Sequence, residues 1–304
     1  MDGEPQPGLR SLTGMRIWLL GAAVLVTFTA GCAREAPAAP APSPSSASTG
    51  AAATVRTDPV ALIGLWKLSG AEVPKDAVLR IGTDDDITLF RPCAALMGNW
   101  RADTAGLFLS SFDSYSPGPG KPSCEPSGPR VQPAWMTRIA GYRVDGTAPL
   151  LLDAAGATVV RLLPGAAPVV RDDMVPELSG KPVVTDETRQ RLGAVAAALP
   201  AGLVPATRAQ LLGRWLPADR TAGAFAELRA DGQWQGSDGC NGLSGGWTSG
   251  PDGSLLAVSG PTTLIGCASA PIGSWLTAAR RAGLAGDALV LLDATGKELG
   301  RLIR

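Results

Sequence analysis

Apolar positions along this chain come in short runs broken by turn residues, the signature of many short strands rather than long helices. Residues 62–68 (Leu-Ile-Gly-Leu-Trp-Lys-Leu) read as an opening strand with Trp66 turned inward. Residues 78–81 and 87–90 flank Gly82-Thr83-Asp84-Asp85-Asp86 and predict a hairpin, with the three aspartates in a solvated turn. That turn lacks the alternating Asp-x-Asp-x-Asp-Gly pattern and distal Glu of a calcium loop. Residues 107–109 predict another strand and 114–129 a Pro/Gly/Ser loop. Val131, Trp135 and Ile139 stand at i, i+4 and i+8 and predict a short helix. Residues 150–152 and 158–163, around the turn Asp153-Ala154-Ala155-Gly156, predict a closing hairpin.

The same succession then recurs. Residues 212–216 repeat the opening strand, and 225–228 alternate before the hairpin turn at 230–233. Residues 255–258 read as a strand. Ile272, Trp275, Leu276 and Ala279 mark an amphipathic helix, and 288–292 with 298–303 close the segment. Eight marks recur in order: Trp66, Cys93, Trp100, Cys124, Trp135, Asp153, Gly156 and Arg161 against Trp215, Cys240, Trp247, Cys267, Trp275, Asp293, Gly296 and Arg301. Four of the seven intervals between successive marks agree residue for residue, and the rest differ by two to four. Loops absorb such differences. Two tandem copies of one domain follow, at 58–165 and 207–304. Between them, 166–206 is a linker. A helix capped by Thr185 is expected there, running through Arg191, Leu192, Val195 and Ala198 until Pro200 stops it. Thr207 is placed to cap a further turn.

The start of the chain reads as an address. Arg10 and Arg16 precede an apolar run at 17–30, short for a bilayer span and suited to a signal-peptide core. It ends in Thr29-Ala30-Gly31-Cys32, which resembles the lipobox of bacterial lipoproteins, where the cysteine thiol takes a diacylglycerol after cleavage of residues 1–31. Met15 offers a more ordinary start than Met1. Residues 32–57 are nearly all Ala, Pro, Ser and Thr, too poor in large apolar groups to fold, and are expected to act as a disordered tether.

Composition narrows the chemistry. The 27 basic and 27 acidic residues balance, so the electrostatic footprint of a nucleic-acid binder is missing. The chain has no histidine, which removes Ser-His-Asp and Cys-His catalysis and His-liganded zinc. With Cys32 assigned to lipid, four of the five cysteines remain, two per copy. In an oxidising compartment the simplest pairing is Cys93 with Cys124 and Cys240 with Cys267. The two other connectivities cross between copies.

The order Leu-x-x-Trp, an Asp-Gly hairpin, Gly239-Cys240-Asn241, Trp247, Thr262-Thr263, Cys267, a helix and a final Leu-x-Leu-x-Asp-x-x-Gly strand pair resembles the META domain of HslJ-like heat-shock lipoproteins. The resemblance covers about 212–304. The first copy shares the layout but has Pro92-Cys93-Ala94 in place of Gly-Cys-Asn. It implies a mainly β fold: two small antiparallel β-barrel-like domains, each with one packed helix, behind a lipoprotein tether. It also implies a link to envelope stress and supplies no catalytic residues.

The resulting expectation is a non-enzymatic binding module without cofactor or metal. It would be a monomer, lipid-anchored by Cys32 to the extracytoplasmic face of the cell membrane, with an envelope protein or cell-wall component as partner and no nucleic acid. The candidate interaction loop is Asp238, Gly239 and Asn241. The competing expectation is a small apolar-ligand or lipid carrier, with an open cavity lined by Trp234, Trp247 or Phe225.

Overall fold

In both copies the chain places its opening tryptophan by the same device. Trp66 Nε1 donates to the Leu62 carbonyl at 2.8 Å, and Trp215 Nε1 donates to the Leu211 carbonyl at 2.8 Å. A buried indole N–H needs such an acceptor. Each partner carbonyl sits on the short turn just before the strand. The structure, a computed structural model, describes residues 57–92, 94–117, 132–168, 176–267 and 269–304. The expected signal peptide and tether, and Cys32, Cys93 and Cys124, lie outside the described residues.

The first sheet contains β1 (Gly64–Ser69), β2 (Val78–Ile81), β3 (Asp86–Arg91), β4 (Ala94–Ala102), β5 (Phe108–Pro117), β6 (Ile139–Asp145), β7 (Ala148–Asp153) and β8 (Thr158–Leu163). The second contains β9 (Val204–Pro205), β10 (Gly213–Pro217), β11 (Ala224–Leu228), β12 (Gln233–Asp238), β13 (Gly242–Ser249), β14 (Leu255–Ser259), β15 (Arg281–Ala285), β16 (Ala288–Leu292) and β17 (Glu298–Ile303). The strand orders are β5-β4-β3-β2-β1-β8-β7-β6 and β14-β13-β12-β11-β10-β17-β16-β15-β9. Every pairing is antiparallel, and apart from β9 the two orders are the same. The mainly β class and the internal repeat therefore meet in one eight-strand plan.

Neither sheet is a closed barrel. The first curls until its end strands meet at one isolated bridge, Leu107 with Gly141, and in the second Ser254, just before β14, bridges to Arg281 of β15. Short hairpins supply the curvature. In the β2–β3 turn the backbone turns left-handed at Asp85 (φ 63°), where the second copy has Gly232 (φ 77°). The amide of the following tryptophan then donates back to that residue's carbonyl, from Trp100 to Asp85 at 2.7 Å and from Trp247 to Gly232 at 2.8 Å. Gly98 and Gly245, two residues before these tryptophans, have no room for a Cβ. It would strike the backbone carbonyl of Ser111 or Val258 on the neighbouring strand.

Each sheet wraps its own core. Leu79, Ile81, Ile87, Leu89, Trp100 and Phe108 anchor the first, and Trp215, Trp234, Trp247, Ile272 and Leu276 the second. The expected helix of the second copy is present as α4 (Ile272–Ala278), introduced here with the three helices that precede it, α1 (Pro176–Ser179), α2 (Asp186–Gly193) and α3 (Arg208–Leu211). The expected helix through Trp135 is not formed in the first copy. A 3-10 turn, Met136–Arg138, stands there, and Ile139 already belongs to β6. Trp135 and Ile139 are still buried. Their inward direction comes from a turn leading into a strand, which mimics helical spacing over so few residues.

The linker docks on both copies. α2 is capped by Thr185, whose hydroxyl accepts from the Thr188 amide at 3.2 Å, and Leu192 joins the first core. The helix ends at Gly193, short of the expected Pro200. Beyond it the backbone pairs with the second copy instead. Ala197 N donates to Ala294 O at 2.9 Å, and β9 pairs with β15. The copies also touch directly through Leu109, Leu256 and Val258, which form a small apolar cluster of their own. Asn99 Nδ2 reaches Ser259 O across this contact at 3.4 Å. The described residues all fall in one compact unit.

Candidate functional site

The β12–β13 connection is Asp238-Gly239-Cys240-Asn241. Gly239 adopts φ 106°, a left-handed value that side chains with a Cβ resist. Asp238 organises the turn: its Oδ1 accepts from the amides of Cys240 at 2.8 Å and Asn241 at 2.6 Å. These bonds, with one from the Asn241 side chain, hold the Asp238 carboxyl below the usual carboxylate range.

Asn241 is buried and faces the other way, into the loop at 260–267. Its Nδ2 donates to Asp238 Oδ2 and to Ile265 O, both at 3.0 Å. Its Oδ1 accepts from Thr263 Oγ1 and from Ile265 N, both at 2.7 Å. An asparagine amide has two donor hydrogens and two acceptor lone pairs, so its capacity is fully used. Cys240 and Cys267 are paired as a disulfide across the same gap, with Cα atoms 6.3 Å apart. The structure thus brings together all the residues singled out in this loop, but it spends Asp238 and Asn241 on internal bonds.

What they hold in place is apolar. Leu264 is 95% exposed and Ile265 61% exposed, at the tip of the clamped loop. The rest of 260–267 carries no charge. These two side chains were not singled out from the sequence. Their one signal is a pair of large aliphatic residues inside a Pro/Thr/Gly loop, where neither a strand nor a helix would bury them.

Two of the clefts between the copies carry distinctive chemistry. The larger, about 700 Å³, is walled by Leu107, Leu109 and Met136 from the first copy and by Trp247 and Arg208 from the second. The Arg208 guanidinium stacks over the Trp247 ring, 4.4 Å from its centroid. The hydroxyls of Ser110 and Ser249, also on this wall, are buried without a hydrogen-bond partner. A smaller cleft, about 210 Å³, gathers Arg101, Arg191, Arg280 and Arg281 with Asp85 and Asp103. The aspartates at 84–86 are therefore more than a solvated turn: Asp85 pairs with Arg101 and Arg191, and Asp86 with Arg80.

Comparison of the chain with protein-family models, with curated proteins and with solved structures finds no match.

Of the three aromatic residues expected to line an apolar cavity, Trp247 and Trp234 each line a cleft, and both clefts lie between the copies rather than inside either sheet. Trp234 is 1% exposed and donates its Nε1 proton to Val258 O at 3.0 Å. Phe225 is covered by the Arg214 guanidinium, 3.6 Å from its ring centroid. Among the described residues, no group of three or more His, Cys, Asp or Glu is placed to hold a metal ion, and no helix is long and apolar enough to cross a membrane.

Proposed function

We propose that this chain is a META-like lipoprotein, anchored through Cys32 to the extracytoplasmic face of the membrane, that works as a non-enzymatic binding module in cell-envelope maintenance. The observation that carries the reading is the apolar tip Leu264–Ile265, exposed on a loop that a disulfide and Asn241 hold rigid. Exposed aliphatic groups raise solubility problems when mobile and serve recognition when pre-ordered, because little entropy is left to lose on binding. The absence of histidine from the chain supports binding over general acid–base work. The oxidising compartment implied by the lipobox agrees with a disulfide inside the binding loop.

The test is in-cell crosslinking of the full chain, with affinity capture and mass spectrometry, beside a Leu264→Ser/Ile265→Ser variant. A stoichiometric envelope partner, lost in the variant, is the expected result. Capture that is the same for both chains would remove the tip from consideration. In the same strains, Cys32→Ala should shift the protein from the membrane to the soluble extracytoplasmic fraction.

A second reading rests on the larger cleft, whose lining joins Leu107, Leu109, Met136 and Trp247 with two serines, Ser110 and Ser249, whose buried hydroxyls have no partner. A small ligand that is mostly apolar, with a hydroxyl or carbonyl to meet Ser110 and Ser249, would suit that wall.

A further inference from the structure

The smaller inter-copy cleft has an unusual charge balance. Arg101 and Arg191 share one carboxylate: Arg101 Nη2 lies 3.4 Å and Arg191 Nη1 2.6 Å from Asp85. Arg281 pairs with Asp252 and also receives Ser254 Oγ as an acceptor at 2.9 Å. Arg280 has no carboxylate within 4.0 Å among the described residues. Its Nη1 closes the end of α4, donating to the carbonyls of Thr277 at 3.2 Å and Ala279 at 2.9 Å. Among the described residues its Nε and Nη2 have no acceptor. Asp103 is the remaining carboxylate, with Oδ1 already accepting from the Leu107 amide at 2.9 Å. Four guanidinium groups therefore meet three carboxylates.

We propose that this cleft is an oxyanion site that takes a phosphate group. Guanidinium forks match the spacing of phosphate oxygens and bind them with paired, charge-assisted hydrogen bonds. Arg280 supplies the free fork, and Arg101 and Arg191 supply flanking positive charge from the first copy and the linker. The volume of about 210 Å³ corresponds to roughly seven waters at ~30 Å³ each, enough for a tetrahedral oxyanion with part of its hydration shell. Burial pushes the Arg280 guanidinium down to about 10, and repulsion from Arg101 adds to this. Burial pushes the Asp103 carboxyl up, so the carboxylate that would oppose an anion is the one least inclined to ionise. A bound dianion relieves the crowding of cations. It also ties together three separate segments: the first copy, α2 and the second copy.

This site is independent of the Leu264–Ile265 loop. The same group could arrive as free phosphate, as a phosphate ester or on a lipid headgroup. Isothermal titration calorimetry on the full chain in detergent tests it, at constant ionic strength with chloride as the replacement anion. Inorganic phosphate, glycerol phosphate and a short-chain phosphatidylglycerol form the three arms and separate those sources. Phosphate is expected to bind at one site. Arg280→Gln should weaken it at least tenfold, Arg280→Lys less, because the charge stays while the fork is lost. Asp103→Asn should tighten it. Arg138→Gln, at an exposed arginine paired with Glu72, is the control and should leave it unchanged. Circular dichroism confirms that each variant is folded. Phosphate binding no tighter than chloride, or binding by Arg280→Gln equal to that of the parent, overturns the proposal.

Discussion

Asn241 shows how much one side chain does in this protein. Its four hydrogen bonds join the β12–β13 turn to the 260–267 loop, and two of them satisfy the N–H and C=O of a single residue, Ile265. Asn241→Ala would remove those bonds and should cost about 1–2 kcal/mol in urea unfolding, the net worth of hydrogen bonds whose freed partners on exposed Ile265 can turn to water. The same variant should flatten the acid limb of stability. Asp238 has a depressed carboxyl, so its contribution is present above the unfolded value of about 3.9 and is lost as pH falls through the folded value. The Asn241 backbone amide is the leading cause of that depression and its side-chain amide the second; Asn241→Ala keeps the first and removes the second, so part of the pH dependence goes. A parallel acid limb in parent and variant would contradict this. The residues of the clamp were legible in the sequence, because Gly, Cys and Asn in a row mark a strained turn. Their direction was not: whether an amide points to solvent or inward depends on the loop it meets, 24 residues further on.

At the scale of elements, the two copies use matching glycines at matching strand positions. Gly98 and Gly245 each let a neighbouring strand carbonyl approach where a Cβ would sit, and the sequence carries the signal as Gly-x-Trp in both copies. Gly245→Ala should destabilise by about 2–3 kcal/mol, since backbone cannot yield as a side chain can. Gly246→Ala should cost clearly less, because its nearest neighbour is the movable Leu109 Cδ1 at 3.3 Å. Urea midpoints of the two variants decide the point, and equal losses would refute it. The closing hairpins were readable for a similar reason. Asp153 and Asp293 each accept from amides two and four residues on, and each is followed by a left-handed glycine. Local turn chemistry of this sort needs no tertiary partner. The Trp135 segment did need one, and there a three-residue turn stands where spacing alone suggested a helix.

Over the whole molecule, the two sheets are coupled by a small apolar seam and a polar rim. Leu109 of the first copy and Leu256 and Val258 of the second are buried in one cluster where the copies meet. Thermal unfolding of the parent should therefore be a single transition. Leu109→Asp places a charge in that seam and should split the calorimetric trace into two, one for each sheet. Two transitions already in the parent would mean the seam contributes little. Sequence by itself determined the mainly β class, the duplicated layout and the turn positions, and offered Cys267 as the simplest partner of Cys240. These follow from residue types at fixed spacing: alternation sets strands and Asp and Gly set turns, while the choice among the three cysteine connectivities was left to the structure. Only the tertiary structure decided that the sheets stay open, that α2 stops at Gly193 to let the linker pair with the second copy, and that four arginines from three segments face one cleft. Those outcomes depend on how distant surfaces approach one another. No local pattern encodes that approach, because each residue involved is equally at home on an exposed face.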